Sequence, residues 1–393
     1  MVPKGWKTVT LKDLLDGQIK NGYSPNATDS ETGYWVLSLG ALADEGINSS
    51  GIKPVLPEEK VLQNLLKKDD FLVSRSNTPD KVGRSIRFKN EIENCSYPDL
   101  MMRFRIDDTK ADKEFIEQQL KSSTVRAYFK NCAAGSSSTM VKINKGILEK
   151  TPIVVPPIKE QKKIAQVLFA WDKAIAWTEK LIINSQQQKK ALMQQLLTGE
   201  KRLLDENGVS FSGKWEKKLL SDVADVYQPK TISQSMMSDS GYPVYGANGV
   251  IGFYQEFNHE TEQIAVTCRG STCGIVNWTQ AKSWITGNAM VINTDNYSYV
   301  SKKFLFYTLN GSDLKYLISG SGQPQITGNI KTHIINLPCI EEQQKIATVL
   351  SAADAEIYTL EKKLACLRDE KKALMQQLLT GKRRVKIDEA VAA

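Results

Sequence analysis

The chain has 393 residues, more than one hydrophobic core usually serves, so its length favours two or more folded units. Hydrophobic residues make up 41% and charged residues 24% of the chain, a composition that excludes the disordered and fibrous classes. The net charge of +8 suits a polyanionic partner but does not by itself identify one.

Membrane and metal functions have little support in the sequence. No apolar run approaches the roughly 20 residues that span a bilayer, and residues 1 to 6 have no apolar signal core. The six cysteines are scattered, and His259 and His333 are the only histidines, so no metal set with the usual ligand spacing can be drawn. We therefore expect a cytoplasmic protein with reduced thiols, no metal site and no membrane partner.

Residues 1 to 155 form a first module, in which short β-like runs precede a helical pattern at residues 113 to 129. Two of its loops are rich in residue types that read DNA. Arginine can bridge guanine O6 and N7, asparagine can bridge adenine N6 and N7, and small residues let the backbone approach a phosphate. The candidate DNA contacts are Arg75, Ser76, Asn77, Lys81, Arg84, Ser136, Ser137 and Ser138. The alternative is that these are ordinary solvated loops.

Residues 156 to 200 have the pattern of a long helix. Pro156 and Pro157 precede it, where the missing N–H costs least, and Gly199 stands in the C-cap role. Apolar residues recur alternately every four and three positions, which is the spacing of a coiled coil. The predicted coiled-coil residues are Ile164, Leu168, Ile175, Ile182, Leu192 and Leu196.

Residues 201 to 337 form a second module, entered through a polar linker at residues 206 to 213. Hairpin chemistry at residues 242 to 252 precedes predicted strands at 263 to 267, 274 to 278 and 289 to 293, and predicted helices at 302 to 309 and 313 to 318. Its candidate DNA contacts, chosen by the same residue types, are Tyr245, Asn248, Arg269, Ser271, Thr272, Gln323 and Gln325.

Residues 338 to 382 repeat the long helix, with a flexible tail expected at 383 to 393. The eleven residues 189 to 199 recur without change at 371 to 381, and the offset of 182 gives 23 identities over 40 positions. Upstream, Trp6 resembles Trp215 with an offset of 209, so the two modules differ by the 27 residues between the offsets. The second set of coiled-coil residues is Ile346, Leu350, Ile357, Leu364, Leu374 and Leu378.

This alternation predicts an α+β protein with a pseudo-two-fold repeat. Two globular modules of mixed α and β structure would be separated by two long helices that pair as an antiparallel intramolecular coiled coil. Each helix of nearly 40 residues would be about 60 Å long, at about 1.5 Å per residue. A coiled coil that only dimerises the chain is the alternative for either helix alone.

Catalytic motifs are missing from the sequence. It contains neither a phosphate-binding Gly-x-x-x-x-Gly-Lys-Ser/Thr loop nor a dinucleotide-binding glycine pattern. The nearest match to a nuclease site, Asp369-Glu370-Lys371, lies in the second helix, where such residues normally form a solvated face. We therefore predict no catalytic residues in this chain.

The duplicated segment also carries a family resemblance. A Pro-x-x-x-Glu-Gln-x-x-Ile-Ala pattern opens each fixed segment near Pro157 and Pro338, with small spacing differences, and each segment closes in Leu-Leu-Thr-Gly. Together with their duplication, these motifs resemble the specificity subunits of type I restriction-modification systems, over nearly the whole chain.

The resemblance implies two target-recognition domains that read the halves of a bipartite, asymmetric site in double-stranded DNA. It implies that the paired helices set the unread spacer, that two methyltransferase subunits dock on the chain, and that restriction subunits join the complex. S-adenosylmethionine, ATP and magnesium would then belong to the partner subunits, with no cofactor on this chain. A coiled-coil scaffold without DNA recognition is the main alternative, and a self-contained nuclease is a distant one.

Overall fold

A computed structural model describes residues 3–43, 46–137, 140–247, 249–320 and 324–387, with the backbone alone at residues 136 and 137. The chain forms two compact units, one made of residues 1–180 and 362–393 and the other of residues 181–361. Each unit combines one module with part of each long helix. The units therefore cut across the segment boundaries that the sequence predicts.

The first unit is a mixed α and β structure built around a fully buried strand. Its strands are β1 Lys7–Thr10, β2 Lys20–Asn21, β3 Trp35–Leu37, β4 Ile52–Pro54, β5 Phe71–Ser74, β6 Ser76–Asn77, β7 Ser85–Arg87, β8 Cys95–Ser96, β9 Met101–Phe104, β10 Ala134–Ser137, β11 Met140–Lys142 and β12 Pro152–Val155. Its helices are α1 Glu59–Gln63, α2 Lys113–Lys121, α3 Ser123–Cys132 and α4 Lys145–Glu149, followed by the start of the long helix α5 Ile158–Leu197.

Four sheets organise these strands. An antiparallel sheet has the order β2-β9-β5-β7, and a second has the order β4-β3-β8 with β3 and β8 parallel. Strand β1 pairs with β12, and β6 pairs with the β10-β11 hairpin. All four residues of β5 are buried, as is typical of a strand that is covered on both faces.

The second unit has matching elements. These are β13 Glu216–Leu219, α6 Leu220–Val223, β14 Asp225–Tyr227, β15 Tyr242–Gly246, β16 Gly249–Tyr254, β17 Ile264–Thr267, β18 Val276–Trp278, β19 Trp284–Ile285, β20 Ala289–Asn293, α7 Lys302–Gly311, β21 Ile334–Leu337 and the long helix α8 Ile340–Leu378. Its sheets have the orders β14-β20-β17-β18, β16-β15-β19 with β15 and β19 parallel, and β13-β21. The two modules therefore share the topology of three sheets, and the β10-β11-β6 sheet is an addition in the first module.

The long helices run antiparallel within each unit. In the first unit, Lys371 of α8 pairs with Asp172 of α5 and Arg368 pairs with Glu179, so residue numbers rise in one helix as they fall in the other. In the second unit, Lys189 pairs with Asp354 and Ser185 bonds to Glu356, so the helices run in opposite directions there too. The antiparallel coiled coil that the heptads predict is confirmed.

The predicted coiled-coil residues all face inward, but not all onto the opposite helix. Ile164, Leu168 and Leu378 belong to the core of the first module, as Leu196, Ile346 and Leu350 belong to that of the second. Leu192 and Leu374 pack against these cores. Ile175 and Ile182 are buried, and Ile357 and Leu364 are half-buried. The ends of each helix are therefore anchored in a module.

Two predictions about helices are wrong in detail. The helix expected over residues 113 to 129 is two helices, because Ser122 has an extended backbone and its hydroxyl accepts a hydrogen bond from the Val125 N–H, capping α3. The helix expected at 313 to 318 is a single 3₁₀ turn, Leu314–Leu317.

The tail is not free from residue 383 onward. The Arg383 N–H donates to the carbonyl of Gln377, Arg384 bonds to Glu160, and Val385 packs against the first core. The prediction of a flexible tail is therefore wrong for residues 383 to 385, because this short stretch is bound to the first unit. Residues 388 to 393 lie outside the described part of the chain.

Candidate nucleic-acid interface

Each module is attached to a helix start through a buried glutamate. Glu160 accepts hydrogen bonds from the Trp6 indole, at 3.1 Å, and from two nitrogens of Arg384, at 2.5 and 2.7 Å. Burial leaves both carboxylate oxygens dependent on these donors, since the Glu160 side chain is 1% exposed. Arg384 lies in the segment that follows α8. This contact therefore joins the segment after α8 to the start of α5 within the first unit.

The second unit repeats this contact. Glu342 accepts from the Trp215 indole at 3.2 Å and from Arg202 at 2.6 and 2.7 Å. The hydrogen bond to Glu342 raises the pKa of Arg202 above its usual value, so the guanidinium stays charged. The sequence argument did not single out Arg202 or Arg384. Their offset of 182 residues was the signal that could have found them.

A buried glutamine next to each glutamate fixes the module helix. Gln161 accepts from the Asp112 N–H at 2.9 Å and donates to the Pro156 carbonyl at 2.8 Å. Gln343 accepts from the Ser301 N–H and donates to the Pro338 carbonyl, both at 2.8 Å. Because Asp112 and Ser301 are the N-caps of α2 and α7, each glutamine holds the start of a module helix against the long helix.

The third contact uses a different module residue in each unit. In the first, Gln118 donates to Asp172 at 2.8 Å, and Lys371 also pairs with that carboxylate. In the second, the Tyr307 hydroxyl donates to Asp354 at 2.6 Å. Burial and the bond to Asp354 raise the pKa of Tyr307, so its hydroxyl remains a donor. The helices thus present one fixed acceptor to two different modules.

The two candidate loops of the first module meet at the end of β5. Asn77 of β6 pairs with Val141 of β11, and the Ile143 N–H donates to the Arg75 carbonyl at 2.9 Å. The Arg75 side chain is half-buried and Lys81 is exposed. The structure therefore joins residues that are more than 60 positions apart in sequence into one surface.

The corresponding place in the second module brings three candidate segments together. The Gly270 N–H donates to the Pro324 carbonyl at 3.0 Å, Arg269 forms a bridge pair with Gln325, and the Thr267 hydroxyl donates to Ala247 in the turn of the hairpin. Arg269, Ser271 and Gln325 are exposed and Thr272 is half-buried. This cluster at the end of β17 matches the position of the cluster at the end of β5.

Two candidates are wrong as base contacts because the fold buries them. Ser76 is 1% exposed within the β6-β11 pairing. Tyr245 is 7% exposed in the core formed with Ile285, and its hydroxyl accepts from the Gln280 N–H. Arg84 is half-buried and donates to the Leu42 carbonyl at 3.2 Å, which uses part of its hydrogen-bonding capacity inside the module.

Five further candidates cannot be placed in full. Ser138, Asn248 and Gln323 lie outside the described residues, and only the backbone of Ser136 and Ser137 is described, in strand β10. The structure adds residues that the loops did not suggest. Met140 and Lys142 are exposed on β11 beside the first cluster, and Ser319 pairs with Gln325 beside the second. The sequence alone could not identify these three residues, because only the pairing of strands brings them beside the clusters.

Comparison with known proteins places this architecture in a family. The sequence model described as the type I restriction modification DNA specificity domain matches residues 3–185 and 212–366, well over half of the chain. The chain belongs to this family. The two matched stretches correspond to the two modules, each with part of a long helix.

Two relatives match this chain over nearly the whole length of both sequences. A putative type I restriction enzyme specificity subunit of Methanocaldococcus jannaschii, MjaX, is 25% identical over 98% of this chain and 95% of its own. The MjaVIII specificity subunit of the same organism is 24% identical over 98% of this chain and 94% of its own. The whole repeated arrangement is therefore shared, rather than one module.

Solved structures match the fold. The S subunit of a type I restriction-modification system from M. genitalium superposes with a TM-score of 0.64, at 17% identity, over 95% of this chain and 96% of its own. A chain from a study of complex assembly and conformational transition in a type I system has a TM-score of 0.58, at 16% identity, over 98% of this chain and 100% of its own. Both likenesses concern the fold alone.

Family membership establishes the general role. The chain is a specificity subunit with two target-recognition domains, a non-catalytic component of a type I restriction-modification system that acts in DNA recognition. In the part of the chain that the structure describes, no helix is long and apolar enough to cross a membrane.

Proposed function

We propose that each target-recognition domain reads one half of a bipartite, asymmetric site in double-stranded DNA, through the clusters at the ends of β5 and β17. The observation that carries this proposal is that the clusters occupy the same place in one topology but consist of different residues. Arg75 and Asn77 would read the first half-site and Arg269 and Gln325 the second. Because the residues differ, the two half-sites should differ in sequence.

Charge supports these assignments. Within the described residues, neither Arg75 nor Arg269 has a carboxylate partner, whereas arginines elsewhere in the chain, such as Arg87 and Arg202, are paired. An arginine without a carboxylate keeps its donors available for a phosphate or a guanine edge. Much of the affinity should come from phosphate contacts and fall as salt is raised.

We also propose that the paired helices set the unread spacer between the half-sites and hold two methyltransferase subunits, with restriction subunits joining the complex. S-adenosylmethionine, ATP and magnesium would be bound by those partners and not by this chain. The chain's own contribution is to select the sequence on which the partners act.

The direct test is to map methylated bases in cells that express the methyltransferase subunit with and without this chain. We expect a bipartite methylation motif only when the chain is present. If methylation is the same in both cells, or if the motif is one continuous half-site, the proposal is wrong.

A second test uses a variant in which Arg75 and Arg269 are both replaced by alanine. It should still form the complex with the methyltransferase subunit, but both half-sites of the methylation motif should become degenerate. An unchanged motif would remove these two residues from the proposal and leave the family role intact.

A further inference from the structure

The hairpin of β15 and β16 in the second unit exposes three large apolar side chains close together. Val250, Ile251 and Phe253 of β16 are 49%, 51% and 38% exposed. Single exposed apolar residues are ordinary on a protein surface, but three within four positions of one strand are not. We name these three residues the apolar ridge.

A β-bulge shapes the apolar ridge. Val244 pairs with Gly252 and Tyr245 pairs with Val250, so Ile251 is an extra residue of β16 in this ladder. Neighbouring side chains of a regular strand point to opposite faces, whereas a bulge re-aims a side chain. The bulge therefore allows two successive residues, Val250 and Ile251, both to be exposed.

The end of this hairpin lies beside the cluster at the end of β17. The hydroxyl of Thr267, the last residue of β17, donates to the Ala247 carbonyl in the hairpin turn, and Arg269 follows Thr267 by two residues. Val250 is three residues from Ala247, so the ridge begins within about 10 Å of the turn. At about 3.4 Å per base pair, this distance is about three base pairs along DNA.

The outer edge of β16 is already occupied at the ridge. The Ser238 N–H donates to the Phe253 carbonyl at 2.8 Å, and these two residues form an antiparallel bridge. A Cβ added at Gly252 would lie 3.1 Å from the sulfur of Met237, which therefore covers this position. A strand from another protein would have to displace both contacts, so the ridge offers side chains rather than backbone groups to a ligand.

The chemistry of the hairpin suits the edge of a base. Residues 242 to 254 include no acidic side chain that would repel phosphates. The C5-methyl group of thymine is the apolar group that base edges present in the major groove, and this groove is wide enough to admit a two-stranded β-ribbon. Branched aliphatic side chains such as Val250 and Ile251 can pack around a methyl group.

The corresponding strand of the first module has no such ridge. Strand β4 pairs antiparallel with β3, as β16 pairs with β15, but its exposed residue is Lys53, and Ile52 and Pro54 are half-buried. Residues 38–51 separate β3 from β4, whereas only residues 247 and 248 separate β15 from β16. The ridge therefore belongs to the second module and can act on the second half-site alone.

We propose that the apolar ridge reads thymine, with Val250 and Ile251 packed against the C5-methyl group of a thymine in the second half-site. This inference rests on the proposed function, in which Arg269 and Gln325 read that half-site through polar contacts. It adds an apolar contact and a requirement for at least one A·T pair, close to the bases that Arg269 contacts.

The test uses the complex of the full-length chain with its methyltransferase subunit and a duplex that contains the mapped methylation motif. Each thymine of the second half-site is replaced in turn by deoxyuridine, which lacks only the C5-methyl group. We expect binding to weaken by about 4-fold at one or more of these positions, as for the loss of one buried methyl group. Deoxyuridine in the unread spacer is the control duplex and should leave the affinity unchanged.

The decisive variant is Val250→Thr with Ile251→Thr, which keeps both side chains β-branched but makes them polar. This variant should bind the thymine and deoxyuridine duplexes equally. Ile334→Thr is the matched control, because Ile334 is 57% exposed on β21, in the separate sheet of β13 and β21. The control should keep the discrimination of the unchanged chain. If the double variant has a lower melting temperature, Val250→Ala alone should still reduce the discrimination.

The outcomes separate this inference from the function beneath it. If the unchanged chain directs no bipartite methylation motif, the proposed function fails. If the second half-site contains no A·T pair, or if the double variant discriminates thymine from deoxyuridine as strongly as the unchanged chain, the inference is wrong and the proposed function stands. A change of oligomeric state with unchanged discrimination would assign the ridge to a protein partner and also overturn the inference.

Discussion

The buried glutamates that close each unit are the side chains on which the module attachments depend most. Glu342 is 1% exposed on its side chain, and its partner Arg202 is 23% exposed. Removing the glutamate leaves the indole N–H of Trp215 without its acceptor and leaves Arg202 with the Gly213 carbonyl in place of a carboxylate. Breaking one partner of a buried ion pair typically costs about 3 kcal/mol or more.

We predict that Glu342→Ala lowers the free energy of unfolding of the second unit by about 3 kcal/mol. The neighbouring Glu341→Ala is the control, because Glu341 is exposed and should change stability by less than about 0.5 kcal/mol. Urea unfolding followed by tryptophan fluorescence measures both. Equal effects of the two variants would show that the contact with Arg202 is not important for stability.

The two histidines make the second unit sensitive to acid. Burial lowers the pKa of both His259 and His333 below their ordinary value. His259 stacks on Tyr227 and lies within hydrogen-bond distance of its hydroxyl through Nε2 and of Asn258 through Nδ1. Folding therefore favours the neutral imidazoles, and the unfolded chain binds protons more readily.

We predict that the stability of the second unit is constant above about pH 6.5 and falls as the pH drops below it. Thermal unfolding of the whole chain at pH 7.5 and pH 5.5 measures the loss. The double variant His259→Gln and His333→Gln should lose less stability over the same interval. If the variant and the unchanged chain lose equal stability, carboxylates rather than these histidines cause the acid sensitivity.

DNA reading can be tested at a single arginine. We predict that Arg269→Ala weakens binding to the cognate site by about 10-fold and makes one half-site degenerate, while the other half-site keeps its sequence. Lys282→Ala is the control, because Lys282 is exposed beyond β18, at the opposite end of the sheet from Arg269. Methylation mapping of both variants checks the prediction. A change at both half-sites would indicate a loss of folding or assembly instead.

Each long helix ends at a glycine. Gly199 and Gly381 have φ of +74° and +73°, in the left-handed region that closes a helix at low cost for glycine alone. An added Cβ at Gly199 would lie 3.4 Å from the Trp215 ring, an ordinary contact. At Gly381 it would collide with Pro3.

We predict that Gly199→Ala costs about 1 kcal/mol of stability, from backbone strain alone. Gly381→Ala should cost clearly more, because Pro3 must also move. Thermal unfolding of the two variants gives the comparison. An equal loss would mean that the chain start adjusts without cost.

The elements also indicate how far the sequence could predict structure. The hairpin at β15 and β16, the strand β20 and both long helices lie close to where residue patterns placed them. The break at Ser122 was missed because a serine within a helical pattern caps a new helix only when its backbone turns away, which depends on packing. The sequence did not predict the individual short strands of the first module, because strands of two or three residues have almost no periodicity.

The contacts that recur in both units explain how one chain can carry two different modules. The Trp-Glu-Arg contact, the Glu-Gln helix start and the aspartate acceptor recur in both units. A module needs only to present its tryptophan, its N-cap N–H and one donor to Asp172 or Asp354. The reading clusters lie on separate segments and are free to vary.

We predict that replacing residues 216 to 337 with the corresponding module of another specificity subunit changes one half-site and leaves the other unchanged. The replacement should keep a donor at the position of Tyr307. Methylation mapping reads both half-sites in one experiment. A parallel chimaera with phenylalanine at position 307 should be less stable, because Asp354 then loses its hydroxyl donor.

Residue patterns alone predict the repeat and the two long helices, because identity at a fixed offset and heptad spacing are local or periodic signals, and the presence of two equal helices in one chain led to the prediction that they pair antiparallel. Only the tertiary structure showed that the two modules share a topology, that Ser76 and Tyr245 are buried, and that distant loops meet at the ends of β5 and β17. Those features depend on which strands pair across long stretches of chain, and the side-chain types in a loop do not encode that pairing.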